Sequence, residues 1–127
     1  MKINLSQLPN KFANHKLELT RKVRRVLVRE GGKFDELNIV FLNDHGMQSL
    51  NKKFLKRNYV TDVLAFLLDE RYGEIYIGAD QLTDDRHLDE LVLHGLFHLL
   101  GYDHKKIKNK RLMENKISFY LSRSTPK

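Results

Sequence analysis

The chain has 127 residues, 41% hydrophobic and 31% charged, which excludes a disordered segment and allows one hydrophobic core. Its apolar runs are only a few residues long, so none spans a bilayer, and the absence of cysteine excludes a disulfide framework and a thiolate metal site. Lys and Arg outnumber Asp and Glu by 23 to 16, and the net charge of +7 fits an anionic partner, nucleic acid first, or equally an inert basic surface. The opening residues, MKINLSQLPNKF, lack the apolar stretch of a secretory signal, and the expected location is cytoplasmic.

Lys2–Leu5 reads as an edge strand. From about His15 to Arg29, Leu19, Val23, Val26 and Leu27 recur at helical spacing and define an apolar face. The opposite face carries Arg21, Lys22, Arg24, Arg25 and Arg29, and Gly31–Gly32 stop the helix. Leu37–Leu42 is short and rich in strand formers. Asn43 or Asp44 then caps a helix to about Phe54, with Met47, Leu50 and Phe54 facing inward. Lys56–Tyr59 reads as a basic loop, and Val63–Leu68 and Glu74–Gly78 as strands joined by an Asp69–Gly73 turn into an antiparallel hairpin. Asp84 or Asp85 caps a helix holding Leu88, Leu91, Val92, Leu93 and Leu96 that ends at Gly101. A last helix runs from about Ile107 to Leu121, and residues 122–127 form a frayed tail. The order β-α-β-α-β-β-α-α specifies an α+β fold, a small mixed sheet of about four strands packed with helices in a single domain over residues 1–127. Sheet order is not readable from the sequence.

The segment from His94 to His104, HGLFHLLGYDH, carries the chemistry. Residues four apart on a helix point the same way, so His94 and His98 can offer two imidazoles to one ion. Gly101 permits the left-handed turn that ends a helix and can swing His104 back toward the other two. Three histidines leave a fourth position for water, the open arrangement of a catalytic zinc site with one Zn2+ per chain. Gly95 occupies the place of the glutamate in the zinc-protease pattern H-E-x-x-H, which argues against proteolysis by that mechanism. A glycine inside a helix costs on the order of 1 kcal/mol against alanine, so close packing on a strand, or room for substrate, is expected there.

These residues resemble the H-G-x-x-H-L-x-G-Y-D-H signature of the YbeY family, metal-dependent endoribonucleases of ribosomal RNA maturation. Leu50–Phe66, LNKKFLKRNYVTDVLAF, is similar to the family's L-N-x-x-Y-R-x-K-D-x-P-T-[DN]-V-L-S-F, and Gly73–Ile77 resembles its G-[DE]-I-x-I. The resemblance runs from about Leu37 to Tyr120 and implies an α+β fold, zinc held by His94, His98 and His104, and ribosomal RNA or a ribosome precursor as partner. The chain departs from the pattern at Leu55, where the family usually has arginine, at Phe54 in place of tyrosine and at Val60 in place of proline. Arg57 matches the family's lysine.

RNA phosphodiester hydrolysis is the expected reaction, with the ion as Lewis acid or source of hydroxide. Lys53, Lys56 and Arg57 are the expected phosphate-binding residues, Arg57 also a candidate catalytic group. Basic residues crowd from Lys105 to Lys127 against the single acid Glu114 and extend the electrostatic footprint. Asp103 either orients an imidazole or accepts a proton, or else caps the turn, and Glu90 is either near the metal or a surface charge. The attacking group is either a metal-bound hydroxide or an RNA 2′-hydroxyl. Two other classes stay open: an RNA-binding ribosome-assembly factor with a structural metal, and a metal-dependent hydrolase of a non-RNA substrate.

Overall fold

The computed structural model describes residues 1–55, 61–102 and 107–122. Among them the strands are β1 (Lys2–Ser6), β2 (Glu36–Leu42), β3 (Val63–Asp69) and β4 (Tyr72–Gly78). The helices are α1 (Lys16–Glu30), α2 (Asp44–Leu55), α3 (Asp85–Leu99) and α4 (Ile107–Leu121). Short 3-10 segments at Asn10–His15 and Ala79–Gln81 have no periodicity strong enough to be expected from sequence.

Alternation along β2 buries Leu37, Ile39 and Phe41 and leaves Asn38 and Val40 on the other side of the sheet. Strand order is β1-β2-β4-β3. β1 runs parallel to β2 and β2 parallel to β4, while β3 returns antiparallel to β4 in the expected hairpin. The register aligns Leu37, Ile39 and Phe41 with Gly73, Ile75 and Ile77, and the last two with Ala65 and Val63. One face is therefore apolar. Leu19, Val23, Val26 and Leu27 of α1 and the Leu88–Leu99 face of α3 share one hydrophobic core with it, and α4, packed on α3, adds Met113, Ile117 and Tyr120. Parallel strands need a crossover, and α1 supplies it between β1 and β2.

The second face of the sheet meets α2, whose Phe54 ring lies 5.4 Å from Phe66 of β3, which in turn lies 6.1 Å from Tyr76 of β4. Asn43 Oδ1 accepts from the Gly46 amide at 2.8 Å and so caps α2.

Two sequence expectations are corrected. Phe54, placed on the inner face of α2, does meet Phe66 of β3 but remains 55% exposed. Lys22, assigned to the outer face of α1, is buried. Its ammonium donates to Asp89 Oδ2 of α3 at 3.0 Å, while Asp89 Oδ1 lies 2.7 Å from His15 Nε2. A buried charge is tolerable only when paired in this way. The expected tail lies mainly outside the described residues, which stop at Ser122. No helix among the described residues is long and apolar enough to cross a membrane.

Candidate functional site

The site is built on α3. Asp84 starts the helix by accepting from the His87 amide at 2.8 Å. From there the helical repeat stacks His87, Glu90, His94 and His98 along one side. All four line one cavity of about 310 Å³, together with Leu91 and with Asp62 and Val63 at the start of β3. His94 and His98, predicted from their spacing to act together, share this cavity and are both half-buried.

Gly95 brings α3 close enough to the sheet to form that wall. A Cβ built on it would sit 2.6 Å from Ile75 Cγ2 and 3.3 Å from Val63 Cγ2, so the expected close packing on a strand is what the structure has. Gly101 has φ of +101° and ends the helix as expected. The Gly101 amide donates to the His98 carbonyl and the Tyr102 amide to the Phe97 carbonyl, each at 3.1 Å, the paired bonds of a Schellman motif. The accompanying apolar contact is Tyr102 against Phe97, with ring centres 5.4 Å apart. This reversal brings the Tyr102 carbonyl within 3.1 Å of His98 Nδ1. A carbonyl can only accept, so Nδ1–H is the donor, and an imidazole with its single proton there has its lone pair on Nε2. Histidines that bind metals are held in this way, with the second ring nitrogen donating to a backbone carbonyl. Behind the site, the His15–Asp89–Lys22 cluster ties α3 to α1.

His104 and Asp103 lie outside the described residues, as do Lys56 and Arg57. Among the described residues, no group of three or more His, Cys, Asp or Glu side chains is arranged to hold an ion. Lys53 is exposed at the end of α2, its ammonium 5.3 Å from the centre of the Phe54 ring, and it does not line the histidine cavity. Glu90 is half-buried in the cavity wall. His87 and Asp62 were not anticipated. His87 stands two helical turns before His94, a spacing that placed it on the same side. Asp62 stands at the [DN] position of the segment that resembles the family pattern, but its place in the cavity wall follows only from the placement of β3 against α3.

The family model for endoribonuclease YbeY matches residues 4–125. The endoribonuclease YbeY of Thermotoga neapolitana is 32% identical over 81% of this chain and 76% of that protein. That of Cytophaga hutchinsonii is 35% identical over 68% and 70%, and that of Syntrophus aciditrophicus 31% identical over 69% and 66%. The solution structure of TM1509 from Thermotoga maritima superposes with a TM-score of 0.66 at 29% identity, covering 96% of this chain and 87% of that one. The mixed four-stranded sheet with its helices is thus the fold of a family named for RNA cleavage. The chain belongs to the endoribonuclease YbeY family.

Proposed function

We propose that this chain is a metal-dependent endoribonuclease acting on ribosomal RNA precursors in the cytoplasm. The observation that supports the site most directly is the pair His94 and His98 in one cavity, with His98 held by the Tyr102 carbonyl in the tautomer that a metal ligand needs. Family membership supports RNA as the substrate. The ribosomal assignment and the zinc rest on the motif resemblance.

His94 and His98, joined by His104, would hold the ion, and three neutral imidazoles suit zinc with one position open. When bound, the ion supplies Lewis acidity and lowers the pKa of a coordinated water toward about 7. The chain's own groups do the remaining work. Glu90 and Asp62 put carboxylates on the cavity wall, where either can accept a proton from an attacking hydroxyl. Lys53 at the end of α2, with Lys56 and Arg57 beyond it in sequence, are assigned to hold phosphates, and Arg57 is also assigned a catalytic role. Asp103 sits beside His104 in sequence, to orient its imidazole or move a proton.

The test is cleavage of a structured RNA by the parent protein, by protein stripped with a chelator, and by stripped protein reloaded with zinc. Loss on stripping, recovery on reloading and no recovery in His94→Ala support the reading. Full activity after stripping overturns the metal dependence, and no cleavage by loaded parent protein overturns the nuclease assignment.

A further inference from the structure

We propose that His87 is a substrate-binding residue of the histidine cavity, a neutral imidazole whose Nε2–H donates to a phosphate oxygen of the RNA strand. The inference deepens the nuclease reading above and rests on it for the class of ligand. His87 is half-buried in the first turn of α3, where its amide donates to Asp84 Oδ1 at 2.8 Å. Its ring turns back toward the chain entering the helix, and the Thr83 amide donates to Nδ1 at 3.2 Å. A backbone N–H can only donate, so Nδ1 is the acceptor and Nε2 carries the ring's proton. His98 is held the other way round, with Nδ1 donating to the Tyr102 carbonyl at 3.1 Å. One side of one helix thus presents two imidazoles in opposite tautomers, one suited to an ion and one to an acceptor on a substrate.

The cavity wall needs such a donor. Val63 and Leu91 are apolar, Asp62 and Glu90 only accept when ionised, and His94 and His98 are assigned to the ion. His87 is therefore the side-chain donor that the described part of the wall leaves for substrate. Among the described residues its ring makes no bond besides the one from Thr83. A cap alone would need only an acceptor at this third helical position, which glutamate supplies as well, whereas imidazole adds an N–H. Nor is His87 a further ligand for the same ion. It precedes His94 by two turns, about 10 Å along the axis, while a zinc–nitrogen bond is about 2 Å long. With one phosphate at the ion, His87 meets a flanking phosphate of the same strand.

The experiment has two arms, both on the full chain with a 2′-O-methyl oligouridine that is checked to be intact afterwards. In the first, imidazole nitrogen NMR reads the His87 ring. The free protein is expected to show the Nε2–H tautomer, and the bound strand to protect that proton from exchange with water. In the second, equilibrium binding is followed across a salt series. His87→Leu is expected to bind about tenfold more weakly, with an unchanged slope of log affinity against log salt, because a neutral donor releases no counterion. His87→Gln keeps an acceptor for the cap and an N–H for the phosphate, and is expected to bind within about threefold of the parent. A purely capping role predicts parent-like affinity for every variant that circular dichroism shows to be folded. An Nδ1–H ring in the free protein, an unprotected Nε2–H in the complex, parent-like binding by folded His87→Leu, or no binding by the parent each overturn the proposal. The NMR arm needs no variant, so it decides even where His87→Leu fails to fold. Cleavage is read in neither arm, so failure of the nuclease assignment shows separately.

Discussion

Replacing Gly95 by alanine tests whether close contact between α3 and the sheet builds the site wall. The new methyl carbon would lie 2.6 Å from Ile75 Cγ2 and 3.3 Å from Ile75 Cγ1. Ile75 is fully buried in β4 and paired with Ile39 on one side and Ala65 on the other. Its β-branched side chain has little rotameric freedom with which to yield. Alanine in place of glycine gains about 1 kcal/mol of helix propensity, whereas overpacking costs about 1–3 kcal/mol. The rigid neighbour puts the cost near its upper end, for a net loss of about 1–2 kcal/mol and a fall in melting temperature of roughly 5 °C. Thermal and urea unfolding followed by circular dichroism read this directly. Ile75→Ala removes the obstructing atoms, so in the Gly95→Ala background it should cost at least about 1 kcal/mol less than in the parent. A Gly95→Ala protein as stable as the parent, or a strictly additive double-mutant cycle, would refute the reasoning.

Asp89→Ala should cost about 3–5 kcal/mol, because it strands the buried Lys22 ammonium, and calorimetry should show a large drop in melting temperature. Burial acts to raise the Glu30 carboxyl, but hydrogen bonds from Lys116 and Tyr120 hold it below its ordinary value, so its contribution is complete above the ordinary carboxylate range and is lost as pH falls through that range. Glu30→Gln should accordingly flatten the acid limb of stability measured from neutral pH down to about 3. Gly101→Ala forces a side chain onto φ of +101° and should cost about 1 kcal/mol or more in urea unfolding, with weaker metal retention as the turn beyond His98 is disturbed.

Local patterns in the sequence were informative where the physics is local. The i, i+4 histidines, the Asp84 cap, the Gly101 stop and the tight fit at Gly95 all follow from helix geometry and glycine's missing side chain. Lys22 could not be placed by the same means. It lies beside Val23 and Val26 on α1, and the carboxylate that permits its burial belongs to Asp89, distant in the chain. Phe54 satisfies the helical repeat of α2 and packs on Phe66 yet stays exposed, since period alone does not say how much sheet lies beneath a helix. The insertion of β4 between β2 and β3 is a matter of long-range pairing, and through it Asp62 reaches the histidine cavity. His87 was within reach of the helical spacing that found His94.

The central claim, that His94 and His98 belong to a metal centre, is tested most directly by elemental analysis of tag-free protein beside its His98→Ala variant. A metal centre there requires about one zinc-type ion per parent chain and close to none in the variant, with the fold retained. A parent protein that takes up no metal after incubation with zinc, or a variant that retains it in full, would contradict the claim.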